Sequence, residues 1–425
     1  MKKLIIYLFL ILIISSCSST KEQSTEQADA SSSLQDSLAG YGVNIDTTKL
    51  PEPQSSKVDN EGKAIGWPEA VKPKAPDGFT VTKFAGELEH PRWIYIGPNN
   101  DIFVVESDDA KKSANRIILF RDSDQDGIPE TKKTFLEGLN QPFGMLILNN
   151  YFYVANVDGI VRFPYELGQD AIDAEAEKVA DLPAGGYNHH WTRNIILSPD
   201  SSKIFVSVGS SSNVGEHGME KEKRRANVLV MNPDGSNEQV YASGLRNPVG
   251  IAFYPGTNTL WAAVNERDEL GDNLVPDYVT SVKEGGFYGW PYAYFGHNKD
   301  PRMADKAPEM VEKSIKPDMA VGAHTSSLGL AFYNKNKFPE KYQGGAFVGQ
   351  HGSWNRSTLN GYRVLFIPFE NAKPAGEPED FLTGFIADQN DYKVYGRPVC
   401  VTVTPDGALL VADDDSGTIW RVAAN

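Results

Sequence analysis

The sequence predicts an all-β fold, a six-bladed β-propeller that spans residues 75–425. One unit occurs six times: an apolar strand, a turn rich in Pro, Asp, Asn or Gly, and a second apolar strand. The copies begin at residues 91, 142, 193, 248, 328 and 398. The first three intervals between them, 51, 51 and 55 residues, match the length of a four-stranded propeller blade. No long stretch has helical periodicity, which excludes a helical fold.

Each copy contains short runs of β-branched and aromatic residues bounded by turn residues, as strands of an all-β protein do. The paired strands are predicted at 91–94 and 102–105, 142–145 and 152–155, 193–196 and 204–207, 248–251 and 260–263, 328–331 and 346–348, and 398–401 and 409–412. Third strands are predicted at 117–120, 228–231 and 419–422. The last two intervals, 80 and 70 residues, predict insertions on the loop face, notably at 268–325. A β-sandwich with accidental repetition is the alternative.

The first seventeen residues predict an exported lipoprotein. Lys2-Lys3 precede an apolar run at 4–14, which is shorter than the roughly 20 residues of a membrane-spanning helix and fits a cleaved signal peptide. The segment that ends at Cys17 (Ile-Ser-Ser-Cys) resembles the lipobox of bacterial lipoproteins, in which the cysteine is acylated. A plain signal peptide with a coincidental cysteine is the alternative. Ser18 favours the outer membrane, so we expect a lipid-anchored domain in the periplasm or at the cell surface.

Residues 18–74 are predicted to be a polar linker, because few large apolar side chains are present in the Ser-, Asp-, Glu- and Gln-rich stretch at 18–60. Cys400 is the only cysteine besides Cys17, so acylation of Cys17 leaves no disulfide partner and stability must come from core burial. The net charge of -15 argues against nucleic acid as a partner. A closed propeller protects its strand edges, so a monomer is expected.

Polar clusters stand just before first strands or just after second strands, where a propeller places its ligand site. His189 and His190 precede the third copy, and a histidine can act as a general base there because its ordinary pKa is about 6.5. Arg246 and Asn247 open the fourth copy, where the arginine offers a planar fork for carboxylates or a developing oxyanion. A turn that merely closes the blade is the alternative at this position.

Three further clusters belong to the fourth, fifth and sixth copies. The oxygen-rich loop at 265–273 suits a hard cation such as Ca2+, or is a solvated charged loop. The segment at 351–356 contains His351, Trp354 and Arg356, and Arg397 precedes the sixth copy. Together these loops supply cations and aromatic rings suited to a flat, polyanionic ligand.

A separate loop has the spacing of a calcium-binding turn. Asp122, Asp124 and Asp126 are followed by Gly127, as at the start of a calcium loop. The twelfth position, where a bidentate Glu is expected, is Lys133. The loop is therefore either a second Ca2+ site or a polar hairpin turn.

Taken in order, six motifs resemble those of the sorbosone dehydrogenase branch of the glucose/sorbosone dehydrogenases. They are 190–193 (HWTR), 244–248 (GLRNP), 265–268 (NERD), 286–291 (GFYGWP), 351–356 (HGSWNR) and 396–398 (GRP). The resemblance runs from about residue 75 to 423. It implies a six-bladed propeller that uses pyrroloquinoline quinone (PQQ) and Ca2+ to oxidise a sugar or sugar aldehyde. Electrons would pass to an external acceptor, a cytochrome or a membrane quinone.

The resemblance also implies roles for residues. The base would be His190 if the spacing follows the sorbosone branch, which we favour, or His189 if it follows the soluble glucose dehydrogenases. Arg246 and Asn247 match the pair that contacts the quinone. Arg246 would also stabilise charge during catalysis.

In the calcium loop, the backbone carbonyls of Arg267 and Asp268 match those that bind the catalytic Ca2+. Arg397 matches a cofactor-binding arginine, but Tyr395 replaces the arginine that the family has two residues earlier. His351, Trp354 and Arg356 would stand in for a fifth-blade lysine of the glucose enzymes.

Two other functions are compatible with such a propeller. One is a calcium-dependent lactonase, which needs a compact Glu/Asn/Asp metal set in the channel. The other is a cofactor-free propeller that binds glycans or scaffolds partners at the cell surface. The replacement of the family arginine by Tyr395 is the main support for the cofactor-free propeller.

Overall fold

The structure is a computed structural model that describes residues 50–55, 58–109, 113–124 and 126–425, and the backbone of 41–42. The predicted signal peptide with Cys17, and most of the predicted linker, lie outside these residues. The predicted fold class is confirmed, because six antiparallel sheets of at least four strands follow one another along the chain. We number these sheets as blades 1 to 6.

The strands of each blade follow in order. Blade 1 is Pro91–Ile96, Ile102–Glu106, Arg116–Arg121 and Thr131–Leu136. Blade 2 is Met145–Leu148, Tyr151–Asn156, Gly159–Pro164 and Glu177–Asp181. Blade 3 is Arg193–Leu197, Ile204–Val208, Asn227–Met231 and Gln239–Ser243. Blade 4 is Pro248–Phe253, Leu260–Val264, Pro276–Val282 and Met319–Ala323, with Tyr41–Gly42 added at its edge.

The last two blades complete the ring. Blade 5 is Ser327–Phe332, Ala346–Gln350, Arg363–Ile367 and Glu379–Leu382. Blade 6 is Pro398–Val403, Leu409–Asp413 and Thr418–Ala424, and its outer strand is the early segment Phe79–Ala85. Smaller elements are the strands Lys63–Ala64, Ala293–Tyr294, Asn298–Lys299, Phe369–Glu370, Lys373–Pro374, Ile386–Asp388 and Lys393–Val394, the α-helix Pro308–Lys313, and the 3-10 turns Met219–Glu222, Ala304–Lys306 and Glu340–Tyr342.

The ring closes by pairing the two ends of the propeller. In blade 6 the outer strand pairs antiparallel with the third strand, with Val81 opposite Val422. Phe79 then packs edge-on against blade 5, with ring centroids 4.7 Å from Phe338 and 5.2 Å from Phe381. Because this strand comes from the start of the domain, closure of the ring needs both ends of the domain.

The first strands approach one another closely around the central channel. A Cβ on Gly250 of blade 4 would lie 2.5 Å from the Leu328 carbonyl oxygen of blade 5. A Cβ on Gly329 would lie 2.4 Å from the Val399 carbonyl oxygen of blade 6. Glycine at these positions therefore allows the blades to pack edge to edge at the centre. The face on which first strands begin and second strands end is called the site face below.

The C-terminal part of the predicted linker contacts the propeller. Residues 58–67, called the N-terminal strap below, lie along the site face of blades 5 and 6. The amide of Asn60 donates to the carbonyl of Trp354 at 2.7 Å, and Lys63–Ala64 forms a parallel bridge with Lys393–Val394. Trp67 donates from Nε1 to Asp413 Oδ2 at 2.7 Å. The polar sequence of the strap did not predict this docking, because the strap binds mainly through backbone groups and single side chains.

The predicted insertion at 268–325 contains two strands of blade 4 and an excursion at 283–318 between them. The excursion reaches the site face at two points. Trp290 donates from Nε1 to the carbonyl of Asn213 at 2.9 Å, and Asp300 forms a buried ion pair with Arg267.

Cys400 is a free, buried thiol on the first strand of blade 6, and burial raises its pKa to about 12. It is therefore an unreactive core residue. Within the described residues, none of the helices has the length and hydropathy needed to cross a membrane.

Candidate active site

His190 lies just before the first strand of blade 3, and its imidazole is buried. Its Nδ1 is 2.9 Å from the carbonyl oxygen of Ser210. Since a carbonyl only accepts hydrogen bonds, Nδ1 carries the proton and Nε2 keeps its lone pair. Burial, followed by the charge of Arg246, lowers the pKa of His190 well below 6.5. The ring is therefore neutral at pH 7 and can accept a proton at Nε2.

His189 lies beside it, with ring centroids 4.6 Å apart. Its side chain is exposed, and Nδ1 is 3.4 Å from the hydroxyl of Tyr187. Desolvation by the surrounding protein, and then the charge of Arg246, lower the pKa of His189 as well. Both candidate bases are thus neutral and near Arg246, and the buried hydrogen bond of Nδ1 distinguishes His190.

Arg246 is buried and held on several sides. It donates to the carbonyl of Glu266 at 2.7 Å and to Oδ1 of Asn213 at 2.9 Å. Its carboxylate contact, to Asp268 Oδ2, is longer at 3.4 Å. The guanidinium is therefore fixed in place before any ligand binds, which is what stabilisation of a developing negative charge requires.

Asn247 offers a buried group without a partner. Its Oδ1 is buried and accepts no hydrogen bond from any described residue. A Cβ on Gly209 would lie 2.3 Å from this oxygen and 2.6 Å from Cβ of His190. Only glycine at 209 lets the amide and the histidine converge. Because an unpaired buried polar atom costs about 1–3 kcal/mol, a ligand that donates a hydrogen bond here would be favoured.

Arg267 and Asp268, the predicted carbonyl ligands of the catalytic Ca2+, have different surroundings. The carbonyl of Asp268 accepts hydrogen bonds from Arg267 Nε at 2.9 Å and from Nη2 of the same guanidinium at 2.7 Å. A cation at that oxygen would have to displace the guanidinium. No donor among the described residues reaches the Arg267 carbonyl, so of the two it is the one that fits the predicted role.

The carboxylate of Asp268 lies between two cationic groups. Its Oδ1 is 3.2 Å from His324 Nδ1, and His324 Nε2 is 2.9 Å from the carbonyl of Gly271. Burial alone would lower the pKa of His324, but the hydrogen bond and charge of Asp268 raise it. Burial likewise opposes ionisation of Asp268, and His324 and Arg246 overcome it, so that its pKa is lowered.

Blades 5 and 6 form a second group around His351 and Arg397. Arg397 donates to the carbonyl of His351 at 3.0 Å and, from the opposite side, to Glu61 of the N-terminal strap at 2.7 Å. His351 Nε2 is 2.9 Å from Asp414, and Arg92 forms an ion pair with the same carboxylate. The guanidinium predicted to bind the cofactor is thus paired with a carboxylate of the chain itself.

Trp354 and Arg356 face the strap and blade 4 rather than this pair. The Trp354 side chain is 37% exposed, and its carbonyl holds Asn60. Arg356 donates to Asn273 Oδ1 at 3.1 Å and to the carbonyl of Asp272. The segment at 351–356 therefore divides its predicted site residues between two places. Tyr395 lies against the strap, with its ring 5.0 Å from that of Trp67.

The two groups are connected through Ser326. Its Oγ accepts from Asn265 Nδ2 at 3.3 Å, and its carbonyl accepts from the amide of His351 at 2.9 Å. The sequence prediction did not include Asn213, His324, Arg92 and Asp414. Asp414 directly follows a second strand, which is the same positional signal that identified the other loops.

The acidic loop lies in blade 1, between the third and fourth strands. Carboxylate oxygens of Asp122, Asp124, Asp126 and Glu130 all lie within 4.8 Å of one another. The structure therefore adds Glu130, at the ninth position, to the three predicted aspartates. It takes the place of the acidic residue that the sequence lacks at Lys133.

Known proteins resemble this chain in sequence. One family model, described as "Domain of unknown function (DUF7133)", matches residues 70–419, which is 350 of the 425 residues. The chain belongs to the DUF7133 family. This DUF7133 protein is 30% identical over 362 residues to an uncharacterized protein of Borreliella burgdorferi, covering 82% of the chain and 90% of that protein.

Several other matches are named as sugar dehydrogenases. The aldose sugar dehydrogenase of Escherichia coli is 32% identical over 191 residues, covering 44% of the chain and 45% of the enzyme. The solved holo PQQ domain of the Coprinopsis cinerea pyranose dehydrogenase superposes with a TM-score of 0.70 at 19% identity, over 85% of the chain and all of that domain. The chain spans about half the length of the curated sugar dehydrogenases that it matches. The predicted resemblance to the glucose/sorbosone dehydrogenases is confirmed, because sequence relatives are named aldose sugar dehydrogenase and quinoprotein glucose dehydrogenase, and the similar solved structures share the propeller fold.

Proposed function

We propose that this DUF7133 protein is a PQQ- and calcium-dependent dehydrogenase that oxidises a sugar or sugar aldehyde and passes the electrons to an external acceptor. The similarity to PQQ-dependent sugar dehydrogenases supports an oxidoreductase of this propeller family. The observation that carries the proposal for this chain is the convergence of a buried neutral histidine, a fixed arginine and an unpaired amide oxygen at His190, Arg246 and Asn247.

The residues present fit PQQ in part. Arg246 would hold a carboxylate or quinone oxygen after exchanging a contact within the chain, such as its 3.4 Å contact with Asp268. Asn247 Oδ1 can accept a hydrogen bond from a ring N–H. Arg397 would hold a further carboxylate after exchanging its contact with Glu61. When bound, PQQ supplies a two-electron acceptor beside the histidine, and Ca2+ at the Arg267 carbonyl would act as a Lewis acid.

His190 performs the proton chemistry in this proposal. Its Nε2 accepts the proton of the sugar hydroxyl, or of the hydrate of an aldehyde, and the hydride of the C–H bond would pass to the two-electron acceptor. The Ser210 carbonyl orients the ring and stabilises the imidazolium that forms. The positive charge of Arg246 disfavours the imidazolium form of the histidine. The same charge stabilises negative charge on the oxygen of the reacting centre.

The proposal is tested by dye reduction. The purified protein, incubated with PQQ and Ca2+, is expected to reduce a redox dye when aldoses are added. Omission of PQQ is the control, and it should abolish the signal. Failure to retain PQQ, together with no dye reduction across a broad panel of sugars, would exclude the dehydrogenase.

One observation favours a cofactor-free glycan-binding propeller as the second candidate. Arg397 is paired with Glu61 and donates to two carbonyls, so its hydrogen-bonding capacity is used within the chain. Glycan binding without retention of PQQ would support that candidate. The lactonase has less support, since the acidic cluster found in the described residues lies in the blade 1 hairpin rather than beside His190.

We also propose that the domain is anchored to the outer membrane of a bacterial cell envelope through acylated Cys17. The lipobox-like sequence before Cys17 supports this. The protein is expected to enter the detergent phase of a Triton X-114 partition, and Cys17→Ser should move it to the aqueous phase. An unchanged partition of the variant would exclude the lipid anchor.

A further inference from the structure

A cavity opens on the site face near the candidate base, His190. It has a volume of about 680 Å³ and lies between the loop at 183–187, which leads into blade 3, and the loop at 211–225, which joins the second and third strands of that blade. Ser211 lines this cavity, and its neighbour Ser210 holds the ring of His190. The cavity therefore adjoins the segment that holds the candidate base in place. It is called the side cavity below.

The side cavity has a buried cation in its wall. Arg225 lines it and is 7% exposed. It donates to Asn188 Oδ1 at 2.6 Å, but its guanidinium forms no ion pair with a carboxylate in the described part of the chain. Desolvation therefore lowers the pKa of Arg225, with only partial compensation by the charge of Glu222.

A second buried arginine reinforces this positive charge. Arg193 is fully buried and donates to the backbone carbonyls of residues 183, 190 and 192 and to the Asn188 oxygen at 3.4 Å, but it has no carboxylate partner in the described residues. Its Nε makes no hydrogen bond there either. Burial, followed by the charge of Arg225, lowers the pKa of Arg193 to about 9. Two guanidinium groups thus stand behind one wall of the side cavity without a counterion in contact.

The carboxylates nearby are engaged elsewhere. Glu222 accepts from the amide of Ser211 at 2.7 Å and from the hydroxyl of Ser212 at 2.5 Å, and burial raises its pKa. Glu216 accepts from the backbone amides of Asn213 and Val214. The charged residues of the lining are Lys221 and Arg225 against Glu220 alone. The electrostatic balance of the lining therefore favours an anionic group.

The side cavity also has an aromatic surface. Tyr187 is 53% exposed, stacks on His189 at 6.1 Å and meets the ring of His217 edge-on at 4.5 Å. Aromatic rings with a few placed polar groups are typical linings of small-molecule sites, and an exposed tyrosine can pack against the apolar face of a sugar ring. This surface leads from the side cavity to His189 and His190.

We propose that the side cavity binds the carboxylate of an acidic sugar, a uronic acid, and that Arg225 is the residue that selects it. The sugar ring lies toward Tyr187, and the substrate thereby spans the distance from Arg225 to the histidines. The proposal rests on the proposed function for the ligand being a sugar, whereas the preference for an anion follows from Arg225, which lines the side cavity and has no carboxylate partner in the described residues.

The test compares binding of D-glucuronate and D-glucose to the full chain by NMR titration, without PQQ or dye. We expect glucuronate to bind about 10-fold or more tightly, because a charge-assisted hydrogen bond is gained. Arg225→Gln should abolish this preference, and Arg225→Lys should retain part of it. Arg224→Gln is the matched control, because Arg224 is paired with Glu238 at 2.6 Å and should leave the preference unchanged.

Lys221→Gln keeps the test decisive if Arg225→Gln does not fold. Lys221 is exposed and lines the same cavity, so its loss should reduce the preference severalfold. Equal affinities for the two sugars, or a preference that survives Arg225→Gln, would overturn the proposal. Tighter binding of glucose 6-phosphate than of glucuronate would overturn the assignment to a carboxylate.

Dye reduction is measured in parallel to separate this proposal from the proposed function. Preferential glucuronate binding without dye reduction would exclude the dehydrogenase function and support the acidic-sugar site. Dye reduction with aldoses, combined with equal binding of glucuronate and glucose, would keep the dehydrogenase and remove the acidic-sugar site.

Discussion

The two histidines before blade 3 differ in how their protons are fixed. His190 is buried and its Nδ1 faces a carbonyl oxygen, so the free lone pair is always on Nε2. His189 is exposed, and its Nδ1 faces a hydroxyl that can donate or accept. A general base gains from the first arrangement, because the correct tautomer is present before the substrate arrives.

His190→Ala should therefore lower turnover about 100-fold or more, the usual contribution of a general base, while PQQ stays bound. His189→Ala is the matched control and should reduce turnover much less. Steady-state dye reduction and PQQ absorbance on the purified variants would measure both effects. If the His189 variant loses turnover and the His190 variant does not, the assignment of the base is reversed.

Asp414 joins blade 6 to blade 1 and responds to pH. Burial alone would raise its pKa, but the charges of His351 and Arg92 hold the pKa of Asp414 well below 3.8. A carboxylate with a lowered pKa stabilises the fold above its unfolded value of about 3.9, and this stability is lost as the pH falls through the folded pKa.

Asp414→Asn should consequently reduce the free energy of unfolding by about 3–5 kcal/mol at pH 7, since it leaves Arg92 buried without its partner. The difference from the unchanged protein should shrink as the pH falls below about 4. Urea unfolding at pH 7 and at pH 3.5 measures this. Asp391→Asn, which removes an exposed pair with Lys393, should cost less than about 1 kcal/mol at either pH. A cost for Asp414→Asn that is equal at both pH values would indicate packing rather than charge.

Among the elements, the N-terminal strap places a carboxylate on Arg397. Glu61 is 63% exposed in its side chain, so the pair contributes at most about 1 kcal/mol. Even that amount matters for a ligand that must use the same guanidinium, because each 1.4 kcal/mol changes affinity tenfold.

Glu61→Gln should therefore tighten PQQ binding by up to about 5-fold if Arg397 holds a cofactor carboxylate. Fluorescence titration with PQQ measures the change. Glu69→Gln is the control, since Glu69 is an exposed residue of the same chain segment and should leave the affinity unchanged. Unaltered or weaker binding after Glu61→Gln would remove Arg397 from the cofactor site.

The hairpin of blade 1 is a second element with testable chemistry. Four carboxylates within 4.8 Å of one another repel unless a cation or protons neutralise them. Ca2+ should raise the thermal midpoint of the protein by several degrees, and Glu130→Gln should reduce that shift. Glu137→Gln, outside the cluster, serves as the control. No Ca2+ effect would leave this loop as a polar hairpin turn.

Predictions from the sequence succeeded where a local pattern determines the element. The first strands of blades 1, 3, 4 and 6 begin at the predicted residues, because each has an apolar run after a polar or Gly turn. The N-terminal strap has no such pattern. Glu61 and Arg397 are 336 residues apart, and nothing in either neighbourhood indicates that they pair.

The same distinction applies to the site. Sequence resemblance brought His190, Arg246 and Asn247 together, and the structure places His190 and Asn247 beside Gly209. It did not predict that the Asp268 carbonyl would be occupied by the guanidinium of Arg267, because that contact depends on a side-chain conformation. Likewise, the unpaired state of Arg225 becomes visible only when the whole neighbourhood is known.

At the scale of the whole molecule, the ring depends on one strand from the start of the domain. Phe79–Ala85 pairs with Thr418–Ala424 along its full length, and Val81 and Phe84 are buried there. Without it, blade 6 would expose an unpaired strand edge and the aromatic cluster that it shares with blade 5. An open edge of this kind invites aggregation rather than a stable ring.

A variant that begins at residue 75 should therefore unfold in one cooperative transition, because it loses the N-terminal strap but keeps the closing strand. A variant that begins at residue 86 lacks Phe79–Ala85 and should show no cooperative transition and a strong tendency to aggregate. Differential scanning calorimetry and light scattering compare the two. Comparison of the two variants separates the contributions to stability of two segments. The strap contacts the site through single hydrogen bonds, whereas Phe79–Ala85 completes a sheet. A sharp transition of the shorter variant at the same temperature would mean that blade 6 is stable with three strands and that closure does not hold the ring together.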